Sequence, residues 1–196
     1  MLTMRPMCLE DAEAVYDCMQ DLPSENGFGN GGYGLSYEEF VNGFLPHCDR
    51  YAKGIDLQPG HVPQSYYILF EDDRAVGVFK FRPMLNDMLR NGAGHIGYGI
   101  RREYRGRGLA KAGLALMLDI AAPLLDEDEA YLSLNKTNPA SLHVMLANGA
   151  YIHHEDEEKY YTIDIVWRKE NINEKEYSSR NERSYSKMCL WSNIQS

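Results

Sequence analysis

Cysteine is scarce in this chain: its 196 residues hold four, Cys8, Cys18, Cys48 and Cys189, with no Cys-x-x-Cys pair and no matching histidine spacing. A zinc ribbon and a disulfide-stapled fold are therefore not expected, and a reducing cytoplasm is the expected setting. Basic residues are also in deficit, 20 Lys and Arg against 29 Asp and Glu, for a net charge of −9. Non-specific nucleic-acid binding needs the opposite balance, so nucleic acid is not an expected partner. The acidity favours a cationic or amine-bearing acceptor instead. No stretch approaches the roughly 18 consecutive apolar residues of a membrane helix, and Met1-Leu2-Thr3-Met4-Arg5-Pro6 lacks the charged-then-apolar order of a secretion signal. A soluble protein without a membrane partner is the expectation.

What is present fits one domain: the length lies within the usual range of about 100–200 residues, and 44% hydrophobic residues suffice for a core. Leu2 to Arg5 reads as a first strand, and Leu9, Ala12, Val15, Tyr16 and Met19 give a helical stripe through Asp21. The Gly- and Asn-rich stretch from Pro23 to Gly34 reads as a mobile lid or substrate loop, and Ser36 can cap a helix from Tyr37 to about Ala52. Within that loop Gly27-Phe28-Gly29-Asn30-Gly31-Gly32 matches G-x-G-x-x-G by letter, but no strand precedes it, so the dinucleotide reading lacks its context. Tyr66 to Phe70 and Ala75 to Phe81 read as a hairpin around Glu71-Asp72-Asp73-Arg74, and Gly94 to Ile100 continues the sheet. Leu109 to about Ala122 is apolar nearly all round, which predicts a buried helix. Tyr151 to His154 and Tyr160 to Val166 read as a closing hairpin. Residues 168–196 change character to a polar extension after a domain of residues 1–167. Tyr185, Met188, Leu190 and Trp191 make that extension the candidate interface of a homodimer, with monomer or dimer left open.

The most informative stretch is Arg105-Gly106-Arg107-Gly108-Leu109-Ala110, between the apolar run ending at Ile100 and the helix starting at Leu109. A Gly-rich turn at a helix N-terminus offers free backbone N–H groups and the positive end of the helix dipole to a diphosphate. Two familiar motifs fail here. A Walker loop needs Gly-Lys-Ser/Thr, where this chain has Leu109 and Ala110, and a Rossmann fingerprint needs a third glycine that is absent. The remaining pattern, Arg-x-x-Gly-x-Ala, resembles the acyl-CoA pyrophosphate loop of GNAT-type N-acetyltransferases. The likeness continues through a strand at Ala130 to Leu134, then Asn138-Pro139-Ala140-Ser141 opening a helix, and Gly149 closing it. Leu85-Asn86 before Gly94-His95-Ile96-Gly97-Tyr98-Gly99 is similar to one subgroup, the bacterial predicted acetyltransferases. The likeness is good over about Val62 to Ile163 and looser over Met1 to Asp21.

The resemblance implies a mixed α/β fold of the acyl-CoA N-acyltransferase kind, a mostly antiparallel central sheet flanked by helices. It also implies acetyl transfer from acetyl-CoA, as co-substrate and without a metal, to a primary amine of a small molecule or peptide. The cofactor would be held by Arg105, Gly106, Arg107, Gly108, Leu109 and Ala110 at the pyrophosphate. Gly99 and Ile100, beside Tyr98, would hold the pantetheine amides, with Asn138 and Ser141 along the arm. His95 is the first candidate base, with Glu71 or a water chain next. Many relatives carry a tyrosine seven residues after the asparagine to protonate the leaving thiolate, and here that position is Met145. Tyr98, Tyr151 or solvent is left for that role. Two rival readings stay open at this point, an acyl-CoA-binding module without turnover and a nucleotide-binding regulator. His153-His154-Glu155 is not expected to bind a metal, because adjacent strand side chains point to opposite faces.

Overall fold

The computed structural model describes residues 1–125 and 127–163; the expectations placed on Asp164 to Val166 and on the extension from 168 lie outside the described residues. In chain order the elements are β1 (Leu2–Pro6), a 3-10 turn (Leu9–Asp11), α1 (Ala12–Gln20), α2 (Tyr37–Glu39), a π turn (Phe40–Phe44), α3 (Leu45–Ala52), β2 (Ser65–Glu71), β3 (Arg74–Phe81), α4 (Asp87–Arg90) and β4 (Ile96–Ile100). A second 3-10 turn (Arg102–Tyr104), α5 (Leu109–Ala121), β5 (Tyr131–Asn135), α6 (Pro139–Leu146), β6 (Tyr151–Glu155) and β7 (Lys159–Ile163) follow.

Two sheets form, one in the order β1-β2-β3-β4 and one in the order β5-β7-β6, and every ladder among them is antiparallel. β2 and β3 are apolar almost continuously because both faces of the first sheet are covered. On one face Tyr67, Leu69, Val76 and Phe79 join the buried residues of α5, including Leu114, Met117 and Leu118. On the other, Tyr66, Ile68, Phe70 and Val78 join Val15, Met19 and Phe40. Fully burying side chains of this size stabilises by about 2–3 kcal/mol each, so the face that takes α5 fixes the helix whose N-terminus matters below.

Local chemistry accounts for the remaining boundaries. Ser36 accepts from the Glu39 N–H while the Glu39 carboxylate takes the Ser36 N–H at 2.8 Å, a reciprocal cap that starts α2. The helix expected from Tyr37 to Ala52 has those outer bounds but carries a π turn inside. Pro46 has no N–H to give and its ring crowds the carbonyl four residues back, and the chain answers by pairing Leu45 N–H with Phe40 C=O. The helix expected from Leu9 begins with a 3-10 turn and becomes α-helical at Ala12. The Pro23 to Gly34 stretch is built on Asn30, whose buried carboxamide donates to Met19 C=O at 2.9 Å and Leu22 C=O at 2.7 Å and accepts from Gly32 N–H at 3.0 Å. One short helix, α4, had no sequence expectation, although Asn86 caps it by accepting from Leu89 N–H at 2.9 Å.

Candidate functional site: a cleft opened between two strands

β4 and β5 touch only where they begin. An isolated bridge joins Gly94 to Leu132, and His95 N–H donates to Tyr131 C=O at 2.7 Å; beyond this apex the strands belong to different sheets. Gly94 is required there. Its φ is +67°, and a Cβ would lie 2.4 Å from the Tyr131 carbonyl oxygen. The strands diverge from this contact, and the wedge between them is a cavity of about 430 Å³ lined by Tyr98, Gly99 and Ile100 on one side and Ser133, Leu134 and Asn135 on the other. That volume lies in the range of about 300–1,000 Å³ typical of small-molecule sites.

The register decides which main-chain groups face the wedge. Arg82 N–H donates to His95 C=O, and Arg101 N–H to Val76 C=O, at the two ends of the β3–β4 ladder. Because hydrogen-bonded positions alternate along an antiparallel pair, Gly97 and Gly99 spend their main-chain groups on β3, whereas Ile96, Tyr98 and Ile100 turn theirs toward the cleft. The main-chain role expected at Gly99 and Ile100 is thus divided: Ile100 and Tyr98 offer edge groups, and Gly99 offers room. The Phe28 ring from the Asn30-pinned loop lies 3.2 Å from where a Gly99 Cβ would stand.

At the open end, the turn after β4 leads into α5. Gly106 and Gly108 have φ of +75° and +77°, Gly108 occupies the N-cap, and no side chain caps the helix. The first-turn amides, which helix geometry leaves without an intrahelical acceptor, are therefore available to an anion, and nothing would lie within 4 Å of a Cβ at Gly106 or Gly108. The Arg105 N–H is used by Arg102 C=O at 3.2 Å, so the run of available amides starts at Gly106. Arg105 holds Ile100 C=O at 2.9 Å and pairs with Glu25, and Arg107 pairs with Glu71 at 2.8 Å.

Along the second wall, Asn138 caps α6 by accepting from Ser141 N–H at 3.1 Å. The Ser141 hydroxyl meets the Tyr98 phenol at 2.8 Å, and the Tyr98 ring stacks on Phe79 at 5.5 Å. Burial pushes the Tyr98 phenol up to about 12. Asn138, Ser141, Tyr98, Arg105 and Ala110 all line the cavity, and so does Met145.

His95 and Glu71 are placed elsewhere. His95 is 0% exposed at the apex, its Nδ1 accepting from Tyr131 N–H at 2.9 Å and its Nε2 lying 3.7 Å from Glu127. Neither His95 nor Glu71 lines the cavity. Burial drives the imidazole pKa down to about 4, against the weaker pull of Glu127. Tyr151, the other candidate acid, is exposed on β6 and donates to Glu129 at 3.0 Å. Two groups that sequence reasoning passed over, Lys80 and Arg82, do line the cleft. Their only sequence signal was a charged residue at every second position after Val78 in an otherwise apolar strand.

A family model described as an acetyltransferase (GNAT) domain matches residues 1–151. No curated protein sequence matches the chain. Among solved structures, a ribosomal-protein-S5-alanine acetyltransferase from Vibrio fischeri is 15% identical, with 84% of this chain and 93% of that one covered at a TM-score of 0.62. A ribosomal L7/L12 alpha-N-protein acetyltransferase, solved in complex with coenzyme A, is 16% identical over 84% of this chain and 94% of that one, again at 0.62. A dodecameric spermidine N-acetyltransferase from Vibrio cholerae is 15% identical over 87% and 96%, at 0.58. At such identities the likeness concerns the fold. Among the described residues no helix is long and apolar enough to cross a membrane, and no group of three or more His, Cys, Asp or Glu is arranged to hold a metal ion.

Proposed function

The chain belongs to the GNAT acetyltransferase family, and from that premise we propose that it moves an acetyl group from acetyl-CoA to the primary amine of a small molecule or peptide. The observation that carries this reading is the wedge itself: one cavity runs from Arg105 and Ala110, beside the uncapped N-terminus of α5, to Gly92 and Ala93 beside the β4–β5 apex, with the free edge of β4 along its wall and Arg105 on the Ile100 carbonyl at its end. The donor set fits the cofactor. Amides from Gly106 to Ala110 suit a pyrophosphate, and the cleft-facing groups of Ile96, Tyr98 and Ile100 suit the amides of a pantetheine arm lying as an added strand.

Bound acetyl-CoA supplies an acyl carbon activated as a thioester. The cleft-facing N–H of Tyr98 or Ile100 is the donor for the oxygen that gains charge as the amine attacks. A new C–N bond forms and the C–S bond breaks. With its pKa near 12 the Tyr98 phenol keeps its proton against a thiolate whose conjugate acid titrates near about 8.5, so it acts by hydrogen bonding to the departing sulfur. The amine's proton goes to water. Glu25 is the only carboxylate lining the cleft among the described residues, and Arg105 engages it. His95, at the apex, holds the two strands together and stays out of the proton transfer.

The withdrawal of His95 and Glu71 from the cleft favours one rival, a module that binds acyl-CoA without turnover. Thiol release from acetyl-CoA across an amine panel separates the two. The transferase reading expects release well above buffer hydrolysis, with kcat/KM climbing toward the acceptor's own amine pKa rather than levelling near pH 6.5. Tight calorimetric binding of CoA with no turnover on any amine would establish the module, and thermal protection by ATP or NAD but not by CoA would point to the nucleotide-binding regulator.

A further inference from the structure

Among the described residues, the closed end of the cleft carries positive charge without a counterion. Lys80 and Arg82 stand at alternate positions and so on one face of the chain as β3 ends, toward the loop that carries Phe28. The Lys80 ammonium donates to Gly29 C=O at 2.5 Å and lies 5.1 Å from the Phe28 ring and 5.3 Å from the Tyr66 ring. The Arg82 guanidinium donates to Gly94 C=O at 3.1 Å. These partners are carbonyls and ring faces. Among the described residues no carboxylate lies within ion-pair distance of either cation, and Glu25, the only one lining the cavity, is taken by Arg105.

Two cations brought side by side out of bulk water, with no anion between them, are costly to the folded chain. Burial brings Lys80 down to about 8, with Arg82 pushing the same way, and burial lowers Arg82 too. Such an arrangement is retained where a ligand brings the missing charge. The pyrophosphate end of the cleft cannot be the source: Lys80 pairs with Gly97 and Arg82 follows opposite His95, at the start of β4, while the Gly-rich turn follows its end. We propose, resting on the acetyl-transfer reading, that the acceptor is an amine that also bears a carboxylate or phosphate, and that Lys80 and Arg82 bind that anion beside the apex. The chain's overall charge of −9 points the other way, toward polycationic acceptors, but a ligand in the cleft meets the local field first.

The test uses the full chain and matched probes: β-alanine against β-alaninamide, O-phosphoethanolamine against ethanolamine, and spermidine. The expected result is a kcat/KM at least about tenfold higher for the anionic member of at least one pair, with spermidine the poorest; the pair showing the preference identifies carboxylate or phosphate. Lys80→Met and Arg82→Gln should raise KM for the anionic probe about tenfold more than for its neutral partner. A merely structural latch from Lys80 to Gly29 would instead weaken both equally, which overturns the proposal, as would equal or better turnover of the neutral amines or of spermidine. Binding keeps the idea testable without turnover. N-acetyl-β-alanine should raise the thermal midpoint of the wild-type chain more than N-acetyl-β-alaninamide does, and O-phospho-N-acetylethanolamine more than N-acetylethanolamine. If neither acid exceeds its neutral partner the anion site is refuted, whatever CoA binding shows. If CoA fails to bind while an acid still protects, the transfer reading fails and the anion site stands.

Discussion

The two ends of the cleft are built from different materials. At its mouth the groups that would face a ligand are main-chain amides of an uncapped helix, and the neighbouring side-chain charges are paired off on the surface, Arg105 with Glu25 and Arg107 with Glu71. Exposed pairs of this kind are worth about 0–1 kcal/mol, so exchanging a carboxylate for a phosphate costs little. At the closed end the groups are side chains, half-buried at Lys80 and Arg82 and buried at His95, and among the described residues neither Lys80 nor Arg82 has an ion-pair partner. Losing a side chain at the mouth should therefore cost little, whereas the closed end depends on the side chains and the close backbone contact it has.

The largest expected effect tests the closed end directly. Gly94→Ala puts a Cβ 2.4 Å from the Tyr131 carbonyl oxygen and 2.9 Å from its carbon, at a φ of +67°. Backbone meets backbone, so neither side can turn away. Left-handed geometry costs roughly 1–2 kcal/mol and overpacking about 1–3, and chemical denaturation should report a loss of about 3 kcal/mol. A loss under about 1 kcal/mol would mean the apex yields and the comparison of the two ends is wrong.

His95 gives an effect of similar size through pH. Its folded pKa of about 4 lies below the ordinary 6.5, so the fold favours the neutral ring. Above pH 6.5 that preference costs nothing; as pH falls from 6.5 toward 4 the unfolded chain takes up a proton the folded chain refuses, and stability drops, levelling below 4. Integrated over that window the loss is about 3 kcal/mol. Carboxylates titrate in the lower part of the same range, so the measurement is a difference. His95→Asn leaves an acceptor near the Tyr131 N–H and no titration, and its stability relative to wild type should improve by about 3 kcal/mol between pH 7 and pH 4. A constant difference would show that the ring gains its proton in place.

The same contrast explains what could be read from the chain. The mouth was legible because it is local: Gly106, Gly108 and the apolar helix after them are contiguous, and glycines at a helix start have few other uses. Asn138 and Ser36 were legible as caps for the same reason. Lys80 and Arg82 were not, since their meaning comes from β4, which lies more than ten residues further along, and from a loop some fifty residues earlier. His95 was legible as a polar residue in a strand, but the face and depth it occupies depend on Tyr131 and Glu127, which sequence order separates from it. The cleft between β4 and β5 comes from a failure of pairing after Gly94, and no residue pattern in either strand announces that.

At the mouth, Gly108→Val should act on the ligand more than on the fold. Its φ of +77° strains a β-branched residue, while no neighbour lies within 4 Å of its Cβ, so the stability cost stays near about 1–2 kcal/mol. The side chain would stand over the amides of α5, and KM for acetyl-CoA should rise about 30-fold, equivalent to about 2 kcal/mol, with kcat little changed. If KM for the acceptor rises instead, the mouth and the closed end have been assigned the wrong way round.

The smallest effect sits midway between the two ends, at Tyr98. Its ring packs on Phe79 as a core residue would, and its phenol meets Ser141 beside the cleft. Tyr98→Phe keeps the ring and removes the oxygen, so a packing residue would lose nothing. If the phenol steadies the departing sulfur, kcat should fall about tenfold, about 1.4 kcal/mol, with KM for acetyl-CoA and stability each nearly unchanged. Tyr98→Leu should lose both the rate and about 1–2 kcal/mol of stability, because it empties the stack on Phe79. Full kcat in Tyr98→Phe would leave the thiolate to water. The wall of the cleft would then be main chain alone, as its mouth is, and side-chain chemistry would be confined to the closed end.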